Sequence, residues 1–326
     1  MSVKVKNCKM NNDELYISRC IQLAKNGWQN SQPNPMVGAV IVYNDTIIGE
    51  GYHVRCGEGH AEVNACASVA PENEHLLKDS TIYVSLEPCS HYGKTPPCAE
   101  LLVSKGFKRC VVGCLDPFAQ VQGRGIKRLR DAGIDVTVGV LEEECKALNT
   151  RFMTFHGKQR PLVTLKWAQS ADGYIDGHIS TPYTQMVCHK RRAEHQAILV
   201  GHNTWLTDNP SLDVRAWRGR NLKIYVAGNH FTDKERADIE VRGGKVVCGG
   251  IEDILHTLFT DDIQTLLVEG GAQLLQSFID SHLWDSAFIE VGDTPIQGKV
   301  KAPSLHNATL TERQYYMGRI IEKFVP

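Results

Sequence analysis

Two α/β domains in tandem are predicted for this chain on three observations. Strand-like and helix-like stretches alternate throughout, the alternation breaks near Arg160-Pro161, and 326 residues can bury two cores of roughly 150 residues each. The first domain is taken as 1–150 and the second as 151–326. In the first, DELYISRCIQLAKNG has the spacing of an amphipathic helix, and MVGAVIVY and TIIGEGYH follow as an early strand hairpin. A helix from GHAEV, a strand at STIYVSLE, a helix from CAELLVSKG and a strand at RCVVGCLD come next, then GIKRLRDAG and IDVTVGV. This order predicts a three-layer α/β/α domain. One helix over EEECKALNTRFMTFHG leads to Arg160-Pro161, where the residue before proline disfavours further helix. The second domain is read from strands PLVTLKWAQ, AILVG, LKIYVAG, GKVVCGG, QTLLVEGG and SAFIEVG, with helices between several of them.

Composition narrows the partners. Acids and bases nearly balance at a net charge of −1, so no basic stripe argues for nucleic acid. The opening MSVKVKNCKM is charged without an apolar segment, and no run approaches the ~20 apolar residues of a membrane span. Eleven cysteines without secreted-domain spacing suggest reduced thiols, and a cytoplasmic protein is expected.

The chemistry concentrates in two short segments. His60 and Glu62 in GHAEV precede Cys89 and Cys98 in LEPCSHYGKTPPC. One imidazole and two thiolates give Zn²⁺ three ligands and leave the fourth tetrahedral position for water. Zinc lowers the pKa of bound water towards ~7, and Glu62, a carboxylate outside the ligand set, is placed to carry its proton to a leaving nitrogen. The order H-x-E, P-C, then C is that of zinc deaminases acting on nucleobases, with a longer second gap than C-x-x-C. Two plainer readings compete. A structural zinc site would recruit His91 or Cys56 as fourth ligand, and Cys89 and Cys98 could instead pair as a disulfide. His60 and Cys98 each fall in the first turn of a predicted helix, where a thiolate is stabilised.

Other residues suit a heterocycle pocket. Asn34 sits between two prolines that would hold its carboxamide rigidly, or it is an ordinary Pro-Asn-Pro turn. His53 ends a predicted strand, where a structural histidine is the plain alternative. Lys94 lies between the cysteines within reach of a phosphate, or is simply solvated. Asp116 follows a strand at its carboxyl end, the edge where open α/β sheets bind ligands.

Taken together, QPNPMVGAVIV, GEGYHVRCGEGHAEV, LEPCSHYGKTPPC and LDPFAQVQGRGI resemble the deaminase half of the bifunctional riboflavin-biosynthesis deaminase/reductase family, over about residues 12 to 150. The resemblance implies a cytidine-deaminase-like domain with His60, Cys89 and Cys98 on zinc, Glu62 as proton shuttle, and Asn34, His53, Lys94 and Asp116 on substrate. The family pattern has asparagine two residues after the aspartate, where this chain has Phe118.

LKWAQSADG, HKRRAEHQAILVGHNTWLTDNPSLDVR, LLVEGGAQLL and GKVKAP resemble the family's reductase half, which implies a dihydrofolate-reductase-like α/β domain using NADPH. Carried over, Ala168, Thr204, Asp208, Gly270 and Gly271 match cofactor contacts, and Arg192, Leu212, Arg215 and Glu269 match substrate contacts. Glycines let a backbone approach a pyrophosphate, and arginine forks suit a phosphate, although a lone Gly-Gly or a lone arginine is weak evidence. After ADG the family has a longer loop and a Ser-x-Trp-Ile pattern; here the loop is short and His178 replaces the tryptophan. LKIYVAGNH also lacks the family's aspartate.

The expected activity is deamination of a 2,5-diamino-6-(phosphoribosylamino)pyrimidinone, then NADPH reduction of its ribosyl chain to ribityl. The expected partners are this small phosphoribosyl pyrimidine and a homo-oligomer of the chain, with no nucleic acid and no membrane. Two alternatives stay open. One is a nucleic-acid-editing deaminase fused to a binding domain, which would want a basic face with stacking aromatics. The other is an active deaminase carrying a non-catalytic reductase-like scaffold.

Overall fold

The computed structural model describes residues 10–28, 30–92, 96–117 and 122–326; Lys94 and Phe118 lie outside the described residues. Two compact units divide between Gly157 and Lys158.

In the first unit, α1 (Asn12–Ala24) starts at a reciprocal cap, with the Asn11 side chain accepting the Glu14 amide and Glu14 reaching back to the Asn11 N–H. β1 (Gly38–Tyr43) and β2 (Thr46–Tyr52) form the expected hairpin. After α2 (Ala61–Ala67) come β3 (Thr81–Leu86), α3 (Cys98–Lys105), β4 (Arg109–Cys114), α4 (Arg124–Asp131) and β5 (Asp135–Val138). The sheet order is β2-β1-β3-β4-β5, with β3, β4 and β5 parallel and β1 antiparallel to both its neighbours. Because successive strand residues point to opposite faces, Ile41, Ile82, Val84 and Val112 pack with α2, α3 and α4, whereas Val40, Val42, Tyr83 and Val111 pack with α1 on the other side. The three-layer expectation is realised. Gly51 permits a close approach: a Cβ there would lie 2.3 Å from the Ala65 nitrogen, so α2 rests directly on β2.

One expected helix is two. α5 (Glu142–Leu148) and α6 (Thr150–Lys158) are separated by Asn149, whose backbone leaves the helical region at φ −113° and ψ 28°. Its carboxamide is committed elsewhere, to the backbone of Met36. Polar side chains that bond outside their helix favour such a break.

The second unit contains β6 (Leu162–Gln169), α7 (Pro182–Ala193), β7 (Ala197–Gly201), α8 (His202–Asp208), β8 (Lys223–Ala227), α9 (Asp233–Val241), β9 (Gly244–Val247), α10 (Ile251–Thr260), β10 (Thr265–Glu269), α11 (Ala272–Asp280) and β11 (Ser286–Val291). β12 (Thr309–Tyr316) and β13 (Arg319–Val325) close the chain as a hairpin the sequence reading did not assign. The sheet runs β12-β13-β11-β6-β10-β7-β8-β9, parallel from β11 to β9. α10 and α11 cover one face through Leu258, Leu275 and Phe278, and Trp205 and Ile239 of α8 and α9 cover the other. Among the described residues, no helix is long and apolar enough to cross a membrane.

Candidate active sites

His60 is the cap residue of α2 and Cys98 is the first residue of α3, so two helix starts converge with the turn after β3 that carries Cys89. The His60 Nδ1 lies 3.5 Å from the Cys89 sulfur and 3.3 Å from the Cys98 sulfur. Zinc bonds of about 2.3 Å to sulfur and 2.1 Å to nitrogen, at tetrahedral angles, set such atoms roughly 3.6 Å apart. The triangle therefore has the size and donor chemistry of a three-ligand zinc site. Among the described residues, no fourth histidine, cysteine or acid joins this group. Cys56 is exposed and both cysteines of the triangle are free thiols, so neither plainer reading of the motif is realised.

The two sulfurs differ. Cys89 is pulled down to about 4 by the Cys98 thiol that donates to it, with help from His60 and from the Cys98 amide 3.2 Å away. Cys98 is pushed up, because the neighbouring Cys89 thiolate and burial both oppose a second negative charge. Two thiolates side by side repel, so the pair resists carrying a second negative charge without a counter-charge. A divalent cation removes this repulsion and admits two thiolates.

Glu62, in the first turn of α2, is 3% exposed. Burial, then the Cys89 thiolate, pushes its carboxyl up to about 7. A carboxyl so placed both accepts and releases a proton near neutrality. The cavity in front of it, about 270 Å³, is also lined by Asn34, His53, His60, Cys89 and Asp116. The expected zinc-side and substrate-side residues thus meet in one pocket, Lys94 lying outside the described residues.

His53 fixes how Asn34 is presented. Its Nδ1 faces the Gly59 carbonyl at 3.1 Å, an acceptor only, so Nδ1 carries the hydrogen. Burial holds His53 below its ordinary pKa, leaving the neutral ring, whose Nε2 accepts from Asn34 Nδ2 at 3.1 Å. The amide nitrogen is used, and the carboxamide oxygen is the group available to a donor on a bound heterocycle.

Glu87, which the sequence reading passed over, organises the far wall. Buried just after β3, it accepts the backbone N–H groups of Asp116, Gly123, Gly125 and Ile126, at 3.0–3.4 Å, and so ties the connection after β4 to the start of α4. The available signal was an acid immediately after an apolar strand. Phe152 and His156 of α6 also line this cavity and were not anticipated.

In the second unit, a cavity of about 430 Å³ collects Ala168, Thr204, Asp208, Gly270, Gly271, Arg192, Leu212, Arg215 and Glu269, every expected residue of that half. Gly270 and Gly271 have φ of 89° and 71°, and a Cβ on Gly270 would lie 2.9 Å from the Thr204 side chain. Only glycine fits this turn, which lines the cavity and leads directly into the start of α11, an arrangement suited to a pyrophosphate. His178 and the short segment around it line the cavity too. That segment is firmly held: Asp172 accepts the amides of Ile296 and Gln297, Asp176 accepts those of Lys299 and Val300, and Ser180 donates to Glu290 at 2.7 Å.

Arg192 already has a partner. Its Nε and Nη2 donate to Glu269 at 3.0 and 2.7 Å, and Nη1 donates to the Asp213 carbonyl. Its fork therefore faces a carboxylate rather than the open cavity. Burial disfavours an ionised Glu269, but Arg192 and Lys166 outweigh it and hold the carboxyl below its ordinary value. Lys166, also missed, lines the same cavity from the middle of β6; a lysine interrupting an otherwise apolar central strand was the sequence signal.

These two sites on two α/β units define a zinc-type deaminase joined to a reductase. Residues 10–114 match the family model of the cytidine and deoxycytidylate deaminase zinc-binding region, and residues 161–294 match that of the RibD C-terminal domain. Riboflavin biosynthesis protein RibD of Aquifex aeolicus is 35% identical over 305 residues, covering 84% of this chain and 85% of its own length. The RibD of Actinobacillus pleuropneumoniae is 42% identical over 325 residues, covering 87% and 84%. The solved diaminohydroxyphosphoribosylaminopyrimidine deaminase/5-amino-6-(5-phosphoribosylamino)uracil reductase of Thermotoga maritima superposes with a TM-score of 0.82 at 32% identity, over 97% of this chain and 99% of that one. The chain belongs to the RibD family of bifunctional riboflavin-biosynthesis enzymes.

Proposed function

We propose that the first unit deaminates 2,5-diamino-6-(5-phosphoribosylamino)pyrimidin-4(3H)-one and the second reduces the ribosyl chain of the product with NADPH. The observation that carries this reading is the His60, Cys89, Cys98 triangle opening, beside Glu62, onto a cavity of heterocycle size. Zinc on those three residues supplies an activated water at neutral pH. Glu62 carries the proton, first to the ring nitrogen and then to the departing amine. Asn34, oriented by His53, receives a ring or amino N–H through its oxygen, while Asp116 meets the substrate from the opposite wall and Lys94 its phosphate.

In the second unit, Gly270, Gly271, Thr204, Asp208 and Ala168 hold NADPH, which supplies the hydride. Arg192, Leu212, Arg215 and Glu269 form the substrate side. Because Glu269 occupies the Arg192 fork, the substrate's phosphate falls to Arg215, a largely exposed arginine whose Nη1 pairs with the neighbouring Asp213 at 2.6 Å. Arg215→Lys is therefore expected to raise KM for the phosphorylated intermediate about tenfold, with deamination unchanged, in steady-state assays of each half-reaction. Equal damage to both reactions would remove Arg215 from the reductase site.

The overall reading is tested by incubating zinc-loaded protein with the diaminopyrimidinone phosphate, with and without NADPH. Ammonia and the uracil product should form in both cases, and the ribityl product only with NADPH. Absence of deamination would refute the first assignment. A deaminated product left untouched by millimolar NADPH would leave the second unit as a scaffold. A cytoplasmic homo-oligomer is part of the same proposal.

A further inference from the structure

Residues 115 to 160 lie outside both family matches, yet part of this stretch reaches the deaminase cavity. The turn that carries Asn34 has an unusual fastening problem. Pro33 and Pro35 have no N–H, so the turn cannot be tied down by amides at those positions. Three of its remaining backbone groups are the Asn34 carbonyl and the Met36 N–H and carbonyl. Two side chains from the junction of α5 and α6 take all three. Asn149 accepts the Met36 N–H and donates to the Met36 carbonyl, both at 2.8 Å, and Arg151 Nη2 donates to the Asn34 carbonyl at 2.9 Å. These partners are 113 and 117 residues apart in sequence, so local chain geometry does not impose them.

Arg151 is not placed as a stabilising ion pair would be. Other arginines of this unit face carboxylates, Arg19 with Glu50 and Arg109 with Asp13. Among the described residues, Arg151 has no carboxylate against it, and burial alone pulls it down to about 10. Leaving a guanidinium half-buried without a counter-charge is unfavourable for folding. A role in the site accounts for it better than a role in stability.

We propose that Arg151, together with Asn149, is a positioning residue of the deaminase: it fixes the Asn34 turn so that the Asn34 carboxamide meets the pyrimidine, which makes the α5–α6 junction a working part of that site. This rests on Asn34 being a substrate contact, as proposed above. His53 sets the rotation of the Asn34 amide, and Arg151 and Asn149 set the backbone from which it projects.

The test is a double-mutant cycle on the full-length zinc enzyme, reading KM and kcat for deamination, zinc content, and NADPH reduction of separately supplied intermediate. Arg151→Met should raise the deaminase KM roughly tenfold or more, the scale of a lost charge-assisted hydrogen bond, with zinc and reduction unchanged. Arg151→Lys keeps one donor for the carbonyl and should restore KM to within about threefold. In an Asn34→Ala background, Arg151→Met should add less than about twofold, because the group it positions is gone. Should Arg151→Met not fold, Arg151→Gln carries the same cycle. An unchanged KM in Arg151→Met, or full additivity with Asn34→Ala, would overturn the proposal while leaving Asn34 as a contact. An unchanged KM in Asn34→Ala would instead remove the contact itself, and the proposal with it.

Discussion

Glu62→Gln is expected to keep its zinc and lose deamination by ~10² or more in kcat, the scale of a positioned proton carrier. The substitution suits the site sterically: Glu62 is 3% exposed in the first turn of α2, and glutamine has the same length and shape. What it removes is a carboxyl that burial, helped by Cys89, sets at about 7. Of the other carboxyls lining the cavity, Glu87 is engaged by four backbone amides and Asp116 is assigned to the substrate, so neither takes over the proton. Metal analysis beside steady-state kinetics decides the matter. Loss of zinc in this variant would make Glu62 a ligand, and full turnover would assign the proton to another group.

Cys98→Ser should abolish zinc binding and deamination together. Serine does not ionise at neutral pH and offers a hard oxygen where zinc takes sulfur, and a two-ligand remnant of His60 and Cys89 is a poor site. The loss of affinity should exceed the roughly 10- to 100-fold typical of changing a residue that only supports a ligand. Cys98 is 1% exposed at the start of α3, so water has little room to take its place. Reduction of the deaminated intermediate should persist, since among the described residues those lining the second cavity all belong to the second unit. A variant retaining one zinc per chain and normal turnover would dismiss the triangle as the metal site.

The sequence made the zinc triangle and Glu62 legible because their chemistry demands particular residue types at short spacings within helix starts. The strand alternation was equally legible wherever both faces of a sheet are buried. What escaped depends on distant partners. Arginine identity at 192 could not reveal that its fork is filled by Glu269, 77 residues later. The split between α5 and α6 was hidden because the periodicity runs through Asn149, and only the contact with Met36 turns that residue out of the helix. Glu87 and Arg151 likewise act on backbone groups, which leave no trace in residue identity. The last hairpin was missed because β12 is exposed almost throughout, so it has no apolar face to alternate, and its turn places Met317 rather than asparagine at positive φ beside Gly318.

The division between Gly157 and Lys158 leaves each cavity walled, in its described residues, by one unit alone. Its consequence is genetic. Alleles that damage one cavity while leaving the chain folded are expected to sort into two complementation groups, one for each catalytic step, with two differently damaged copies in one cell jointly sustaining flavin synthesis when the intermediate passes between them through solution.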